Sequence, residues 1–242
     1  IISYTLSSGC RATRTMSVFA NPAAIGGTTS LCSSSTTLTN ATSGGIWTSD
    51  NTGVATIGST SGIVTTVATG TATISYTLGT GCRTTTVFTT LEAPGAITGT
   101  RSACAGTTTT LGNSVSGGIW TSGNPTVATI GSTSGVVNGL TIGTSIISYT
   151  LTSGCRTTTT VTITSSPGAI GGTTGICSGA TSTLTNSVGG GTWFSSDGAV
   201  ATIGLTSGVV TGVVAGTVNI TYLHTNGCPN AVTVTVNANT AI

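Results

Sequence analysis

Apolar and polar positions alternate along this chain with a period of two, and no stretch carries apolar residues at i, i+3, i+4 and i+7 as an amphipathic helix would. Ile74, Tyr76 and Leu78 alternate with Ser75 and Thr77, and Ile147, Tyr149 and Leu151 repeat the arrangement. Such alternation puts one apolar row on the core face of a strand and leaves the other row in water. Residues 54–57 (Val-Ala-Thr-Ile) and 63–64 (Ile-Val) flank the turn-rich segment 58–62, and residues 127–130 and 200–203 begin the same pattern again. Short strands with turns roughly every 8–12 residues predict an all-β sandwich. Threonine, β-branched and polar, suits the exposed face of those strands.

The elements recur. Trp47, Trp120 and Trp193 are 73 residues apart, and Tyr4, Tyr76, Tyr149 and Tyr222 follow at steps of 72, 73 and 73. Pro22, Pro94 and Pro167 mark the boundaries, where a fixed φ stiffens a short junction. The sequence therefore predicts four segments: residues 1–21, the C-terminal strands of a preceding repeat, followed by complete repeats at 22–93, 94–166 and 167–242. Copying a unit of domain size builds length, valency or a regular surface, because a single active site needs no copies. Residues 1–6 match residues 146–151 inside a repeat. The expectation is that the rest of that opening repeat comes from a longer polymer or from a neighbouring chain.

Trp47-Thr48-Ser49, Val54-Ala55-Thr56-Ile57, Ser61-Gly62-Ile63-Val64-Thr65 and Gly70-Thr71-Ala72-Thr73-Ile74 resemble the bacterial immunoglobulin-like domain of the BIG2 type. The second copy reads Trp120-Thr121-Ser122, Val127-Ala128-Thr129-Ile130, Gly135-Val136-Val137 and Gly143-Thr144. The third reads Trp193-Phe194-Ser195, Val200-Ala201-Thr202-Ile203, Gly208-Val209-Val210-Thr211-Gly212 and Gly216-Thr217-Val218. The resemblance implies tandem Ig-like β-sandwiches strung as beads with short junctions, as in bacterial adhesins and stalks. The Thr-rich, Cys-bearing version is similar to repeats of large secreted proteins of the Bacteroidetes. It implies a fold and leaves activity open.

Composition narrows the function. There are 60 threonines and 37 glycines but no lysine or glutamine, and charged residues make up 3% of the chain, against roughly 25% in an ordinary soluble protein. A net charge of +2 spread over this length gives nucleic acid or anionic lipid no basic patch to bind. Mean hydropathy is +0.42, yet no apolar run approaches the roughly 18 residues of a spanning helix, and 4% aromatics give a membrane barrel no girdle. A neutral surface of Thr, Ser, Gly and Asn offers little repulsion between copies, so self-association is expected.

Seven cysteines occupy two positions of the unit. Cys32, Cys104 and Cys177 precede the Thr-rich strand, whereas Cys10, Cys82, Cys155 and Cys228 follow the Tyr strand at a Gly-Cys turn. Pairing within repeats gives Cys32–Cys82, Cys104–Cys155 and Cys177–Cys228, each closing a loop worth about 4 kcal/mol in the chain-entropy view. Cys10 is then left without its partner, or pairs with a neighbouring chain. A second connectivity across junctions, Cys10–Cys32, Cys82–Cys104 and Cys155–Cys177, stays open. Either implies an oxidising, extracellular compartment. No Cys-x-x-Cys and a single His argue against zinc.

The remaining candidates for chemistry are few. Trp47, Trp120 and Trp193, with Tyr76, Tyr149 and Tyr222, read as core anchors ahead of sugar-stacking platforms. Arg11, Arg83 and Arg156 follow the Gly-Cys turn and are candidate contacts for anionic glycans or a neighbouring subunit, against the plainer reading of solvated turn residues. Asp50, Glu92 and Asp197 are too few for a calcium site, and without lysine or a catalytic His set the chain has nothing on which an enzyme mechanism or a cofactor could rest. The sequence points to a structural component of an extracellular bacterial filament, stalk or surface layer that assembles with itself. The alternative is an adhesin or a module that binds surface carbohydrate.

Overall fold

The computed structural model describes residues 1–239, and every regular element among them is a β-strand. In the second repeat one sheet runs in the order Ser102–Cys104, Arg156–Thr164, Gly143–Thr150, Ile119–Ser122. The other runs Thr98–Gly99, Thr108–Gly112, Val136–Gly139, Ala128–Ile130. Tyr149, Ile147 and Val161 from the first sheet and Leu111, Val137 and Ala128 from the second share one buried cluster. The first and third repeats keep the four-stranded sheet, as Ser30–Leu31, Arg83–Thr90, Gly70–Leu78, Gly45–Ser49 and as Gly175–Cys177, Pro229–Asn237, Gly216–Leu223, Thr192–Ser195. The all-β, Ig-like sandwich expected from the period-two pattern is the fold of the chain.

In all three sandwiches the short first strand of the four-stranded sheet that holds the Tyr lies parallel to the long last one, with Ser102 opposite Thr162 and Cys104 opposite Thr164 in the second repeat. The corresponding pairs are Leu31 with Thr90 and Cys177 with Asn237. Every other pair among the described strands is antiparallel, and short turns join Gly70–Leu78 to Arg83–Thr90 and Gly143–Thr150 to Arg156–Thr164.

By compactness the described chain divides into two units. One is Ile1–Ala93 together with Ser153–Cys155; the other is Pro94–Thr152 with the chain from Arg156 onward. The second and third repeats thus share one unit. In the first unit the leading residues form only a hairpin, Ile2–Thr5 with Arg11–Arg14. Its row Ile2, Tyr4 and Leu6 is 60%, 70% and 49% exposed, whereas the equivalent Ile147, Tyr149 and Leu151 are buried.

Burial follows the alternation. Along Gly143–Thr150 the inward positions are Ser145, Ile147 and Tyr149. Ser145 is the polar exception, and its hydroxyl meets Ser122 Oγ at 2.8 Å and accepts the Asn124 N–H at 3.0 Å, so no hydrogen-bonding capacity is lost inside. Each core centres on a tilted Trp–Tyr pair, with ring centroids 4.6, 4.5 and 4.7 Å apart in the three repeats. That geometry suits the quadrupoles of both rings.

The Tyr hydroxyl also ties down a loop. Tyr149 Oη donates to the Val115 carbonyl and accepts the Gly118 N–H, both at 2.8 Å. Tyr76 does the same between Thr42 and Gly45, and Tyr222 between Val188 and Gly191. A Cβ at Gly118 would meet the Tyr149 ring, which explains the glycine there. Gly135 combines a left-handed φ of +69° with contact on Trp120 Nε1 and the Leu111 carbonyl, so no side chain fits. Replacing Tyr149 by Phe strands one carbonyl and one N–H beneath the ring, and we expect a loss of about 1–3 kcal/mol. Thermal denaturation of Tyr149→Phe beside the parent chain checks this.

Candidate functional site

Two disulfides form, Cys32–Cys155 and Cys104–Cys228, with Cα atoms 5.6 and 5.8 Å apart. The expected pairs Cys32–Cys82, Cys104–Cys155 and Cys177–Cys228 are therefore corrected, and so is the alternative set Cys10–Cys32, Cys82–Cys104 and Cys155–Cys177. The reason lies in the parallel strand pair. Cys104 stands opposite Thr164 at the end of the last strand, while Cys155 precedes Arg156 at its start. Nine residues of extended chain separate those levels by about 30 Å, far beyond the roughly 4.4–6.8 Å that a disulfide spans. Cys32 and Cys82, and Cys177 and Cys228, are held apart by the same arrangement.

Consequently the turn cysteines of the second and third repeats, Cys155 and Cys228, meet Cys32 and Cys104, the first-position cysteines of the repeat before. In the second unit the turn ending in Cys228 sits against the end of the Arg156–Thr164 strand. The Thr164 hydroxyl donates to the Cys228 sulfur at 3.2 Å, and Asn226 Nδ2 donates to the Ser165 carbonyl at 2.8 Å. Asn226 also shapes its own turn, its Oδ1 accepting the Cys228 N–H at 3.0 Å. In the first unit the Ser153 hydroxyl plays the part of Asn226, donating to the Glu92 carbonyl at 3.0 Å and accepting the Cys155 N–H at 3.3 Å. Cys155 and Cys228 are both 1% exposed.

Three thiols are free: Cys10 and Cys177 are exposed, and Cys82 is partly buried with its sulfur 3.8 Å from the Phe19 carbonyl oxygen. Arg11, Arg83 and Arg156 each open a strand and are exposed, beside the turn cysteines. Trp47, Trp120 and Trp193 are 5%, 5% and 4% exposed, so their faces are turned to the core. Sequence reasoning missed Ser153, Thr164, Ser165 and Asn226, the polar groups that seat each turn. A Ser or Asn two residues before the turn cysteine, as at Ser8, Ser153 and Asn226, was the available signal.

Electrostatics contribute little. The Asp50 carboxyl is held below its ordinary range by the Thr73 hydroxyl and by the Thr73 N–H, which donates to Oδ1 at 2.6 Å. Its lowered value means that this contact supports folding above the ordinary carboxylate range and is lost as the pH falls through that lowered value. Among the described residues no group of three or more His, Cys, Asp or Glu could hold a metal ion, and no helix is long and apolar enough to cross a membrane.

The parallel strand pair and the two-sheet core define an Ig-like β-sandwich fold. Residues 13–88 match the family Bacterial Ig-like domain (group 2), so the resemblance read from the sequence holds over the first complete repeat. Among solved structures, domains 1–6 of surface layer protein SbsC align at 17% identity and TM-score 0.30, over 91% of this chain and 41% of that one. A C-terminal 282-residue fragment of intimin, in complex with the intimin-binding domain of its translocated receptor, aligns at 21% identity and TM-score 0.37, over 60% of this chain and 64% of that one. Drosophila N-cadherin EC1–4 aligns at 12% identity and TM-score 0.28, over 86% of this chain and 71% of that one. The chain spans about two fifths of the length of the surface layer structure. A search of curated proteins finds no match.

The disulfide assignment is checked by peptide mapping without reductant. Fragments joining Cys32 to Cys155 and Cys104 to Cys228 are expected, and none joining Cys104 to Cys155. Loops enclosing more than 100 residues constrain the unfolded chain strongly, so replacing Cys104 and Cys228 together by Ser is expected to cost about 2–5 kcal/mol. Chemical denaturation of that double variant gives the measurement.

Proposed function

We propose that this chain is a structural component of an extracellular bacterial filament, stalk or surface layer, in which tandem sandwiches carry tension and copies associate with one another. The observation that carries this reading is the Cys104–Cys228 bond, which joins two successive sandwiches instead of closing one. A disulfide inside a domain serves the stability of that domain, whereas one across a junction resists separation of its neighbours. Persistent disulfides also require an oxidising compartment, which accords with a surface or secreted location.

Three further features support the reading. The junctions are short and hydrogen-bonded through Asn226 and Ser165, so little freedom remains between the second and third repeats. The surface is nearly uncharged, which removes the repulsion that usually keeps copies apart. Strands Ser102–Cys104 and Ile119–Ser122 lie at sheet edges, the positions at which a sheet can take up a further strand.

The bonds shorten the covalent route along the chain. From residue 1 that route crosses at Cys32 to Cys155, returns to Cys104, crosses to Cys228 and continues. It uses about 100 residues, or about 350 Å at roughly 3.5 Å per residue, against about 850 Å for the fully reduced chain. Single-molecule stretching is expected to reach those two limits before and after reduction. An oxidised chain that extends to the reduced length would sink the tension-bearing reading. For self-association, negative-stain images at high concentration are expected to contain ordered assemblies, and a field of monomers alone would remove that part.

A further inference from the structure

Beside Trp120 the second repeat carries a groove of about 460 Å³. One wall is the loop that joins Thr108–Gly112 to Ile119–Ser122 and includes Asn113; the other is the turn before Val136–Gly139, with Thr133 and Ser134 at its rim. Tyr149 also lines it. The third repeat has the same groove, of about 260 Å³, with Asn186, Trp193, Ser207 and Tyr222 in the equivalent places 73 residues on. In the first repeat Asn40, Trp47, Ser61 and Tyr76 hold those sequence positions.

Trp120 is 5% exposed, with its ring against Tyr149, so its faces belong to the core. Its Nε1–H donates to no acceptor among the described residues, and no buried side-chain nitrogen there lacks a partner, so this N–H opens on the groove. Gly135 keeps it uncovered: a Cβ at that residue would lie 3.3 Å from Nε1. Gly62 and Gly208 hold the same place, at 3.2 and 3.1 Å from the indole nitrogens of Trp47 and Trp193. An indole N–H can only donate, so a ligand seated here must bring an acceptor.

The rest of the lining is neutral and rich in hydroxyl and amide groups. Asn113 Nδ2 donates to the Gly95 carbonyl at 2.6 Å and its Oδ1 accepts the Val115 N–H at 3.0 Å, which fixes the amide plane and leaves one proton and one lone pair over. Ser134 Oγ accepts the Val136 N–H at 3.3 Å and keeps its own proton to donate. The Tyr149 hydroxyl holds the loop at Val115 and Gly118, so the wall is shaped in advance and little ordering remains for binding to oppose. No charged side chain lines the groove, so neither an anion nor a cation meets a counter-charge. What fits is a compact, uncharged body with acceptors and donors on several sides.

We propose that this groove in the second and third repeats binds a neutral saccharide, one oxygen of which accepts the Trp120 or Trp193 Nε1–H while neighbouring hydroxyls bond to the Asn and Ser of the two walls. Recognition uses the edge of the indole, since its faces are in the core. Sites repeated along one chain engage a polysaccharide by avidity, so each can be weak. The proposal stands apart from self-association and adds a binding role to a structural chain.

The test follows the tryptophan indole N–H resonances by heteronuclear NMR while maltose, cellobiose, lactose or N,N′-diacetylchitobiose is added to the whole chain, with N-acetyl-trialanine amide as a neutral peptide. Saturable shifts of the Trp120 and Trp193 resonances are expected with at least one disaccharide at millimolar concentration. Thr133→Tyr fills the second groove from an exposed rim position and is expected to abolish the Trp120 shift while leaving that of Trp193; Thr206→Tyr does the reverse. Thr160→Tyr, exposed on the strand Arg156–Thr164 of the other sheet, keeps both. Thermal denaturation verifies that each variant is folded. No saturable shift with any disaccharide, a Trp120 shift that survives Thr133→Tyr, or shifts with the peptide alone would overturn the proposal.

Discussion

The parallel pairing, in each sandwich, of the first and last strands of the sheet that holds the Tyr fixes more of this molecule than any other contact. Ser102–Cys104 beside Arg156–Thr164 makes the chain enter and leave the sheet in the same direction. The first-position cysteine is thereby carried to the end from which the chain departs, and the turn cysteine is left at the opposite end. A turn cysteine so placed is adjacent to the preceding repeat and remote from its own partner position. Disulfides across junctions are thus a consequence of strand direction, and the hydrogen bonds of Asn226 and Ser153 follow, because each turn must seat on the strand end it meets.

With 3% charged residues, ion pairs cannot specify the fold, and directional neutral contacts take their place. The Trp–Tyr pair recurs with centroid distances within 0.2 Å of one another across three repeats of differing sequence. Each Tyr hydroxyl makes one donated and one accepted bond to the same loop. Among the described residues no buried side-chain nitrogen or oxygen lacks a partner. A Thr-rich sheet tolerates this economy, since β-branched side chains stiffen strands and keep hydroxyls on the wet face.

Much of this was legible in the chain. The strands Gly70–Leu78 and Gly143–Thr150 were visible as alternation around Tyr76 and Tyr149. The disulfide partners were not. Gly175–Cys177 is only three residues long and its pairing is non-local, so nothing in its sequence indicates that it runs parallel to Pro229–Asn237. Grouping cysteines by repeat boundary assumes that a domain closes on itself, and only the register reveals that Cys104 and Cys155 lie at opposite ends. Gly135 illustrates the same limit: it reads as a turn glycine, while its need to clear Trp120 Nε1 emerges from packing alone.

The position of the bonds also decides how force acts on a sandwich. Were the chain pulled, tension would enter the second repeat at Cys155, beside the start of its last strand, and leave at Cys104, at the end of the strand parallel to it. Pulling Arg156–Thr164 and Ser102–Cys104 apart along their own axes loads their hydrogen bonds together, in shear, where peeling would break them one at a time. The last strand is held on its other side by eight register partners from Gly143 to Thr150, so its sliding would also drag the Tyr149 clamp and the Trp120 ring beneath it. A junction disulfide at these positions would therefore direct load onto a long strand paired on both sides, whereas a bond within the repeat would have shielded that strand from tension.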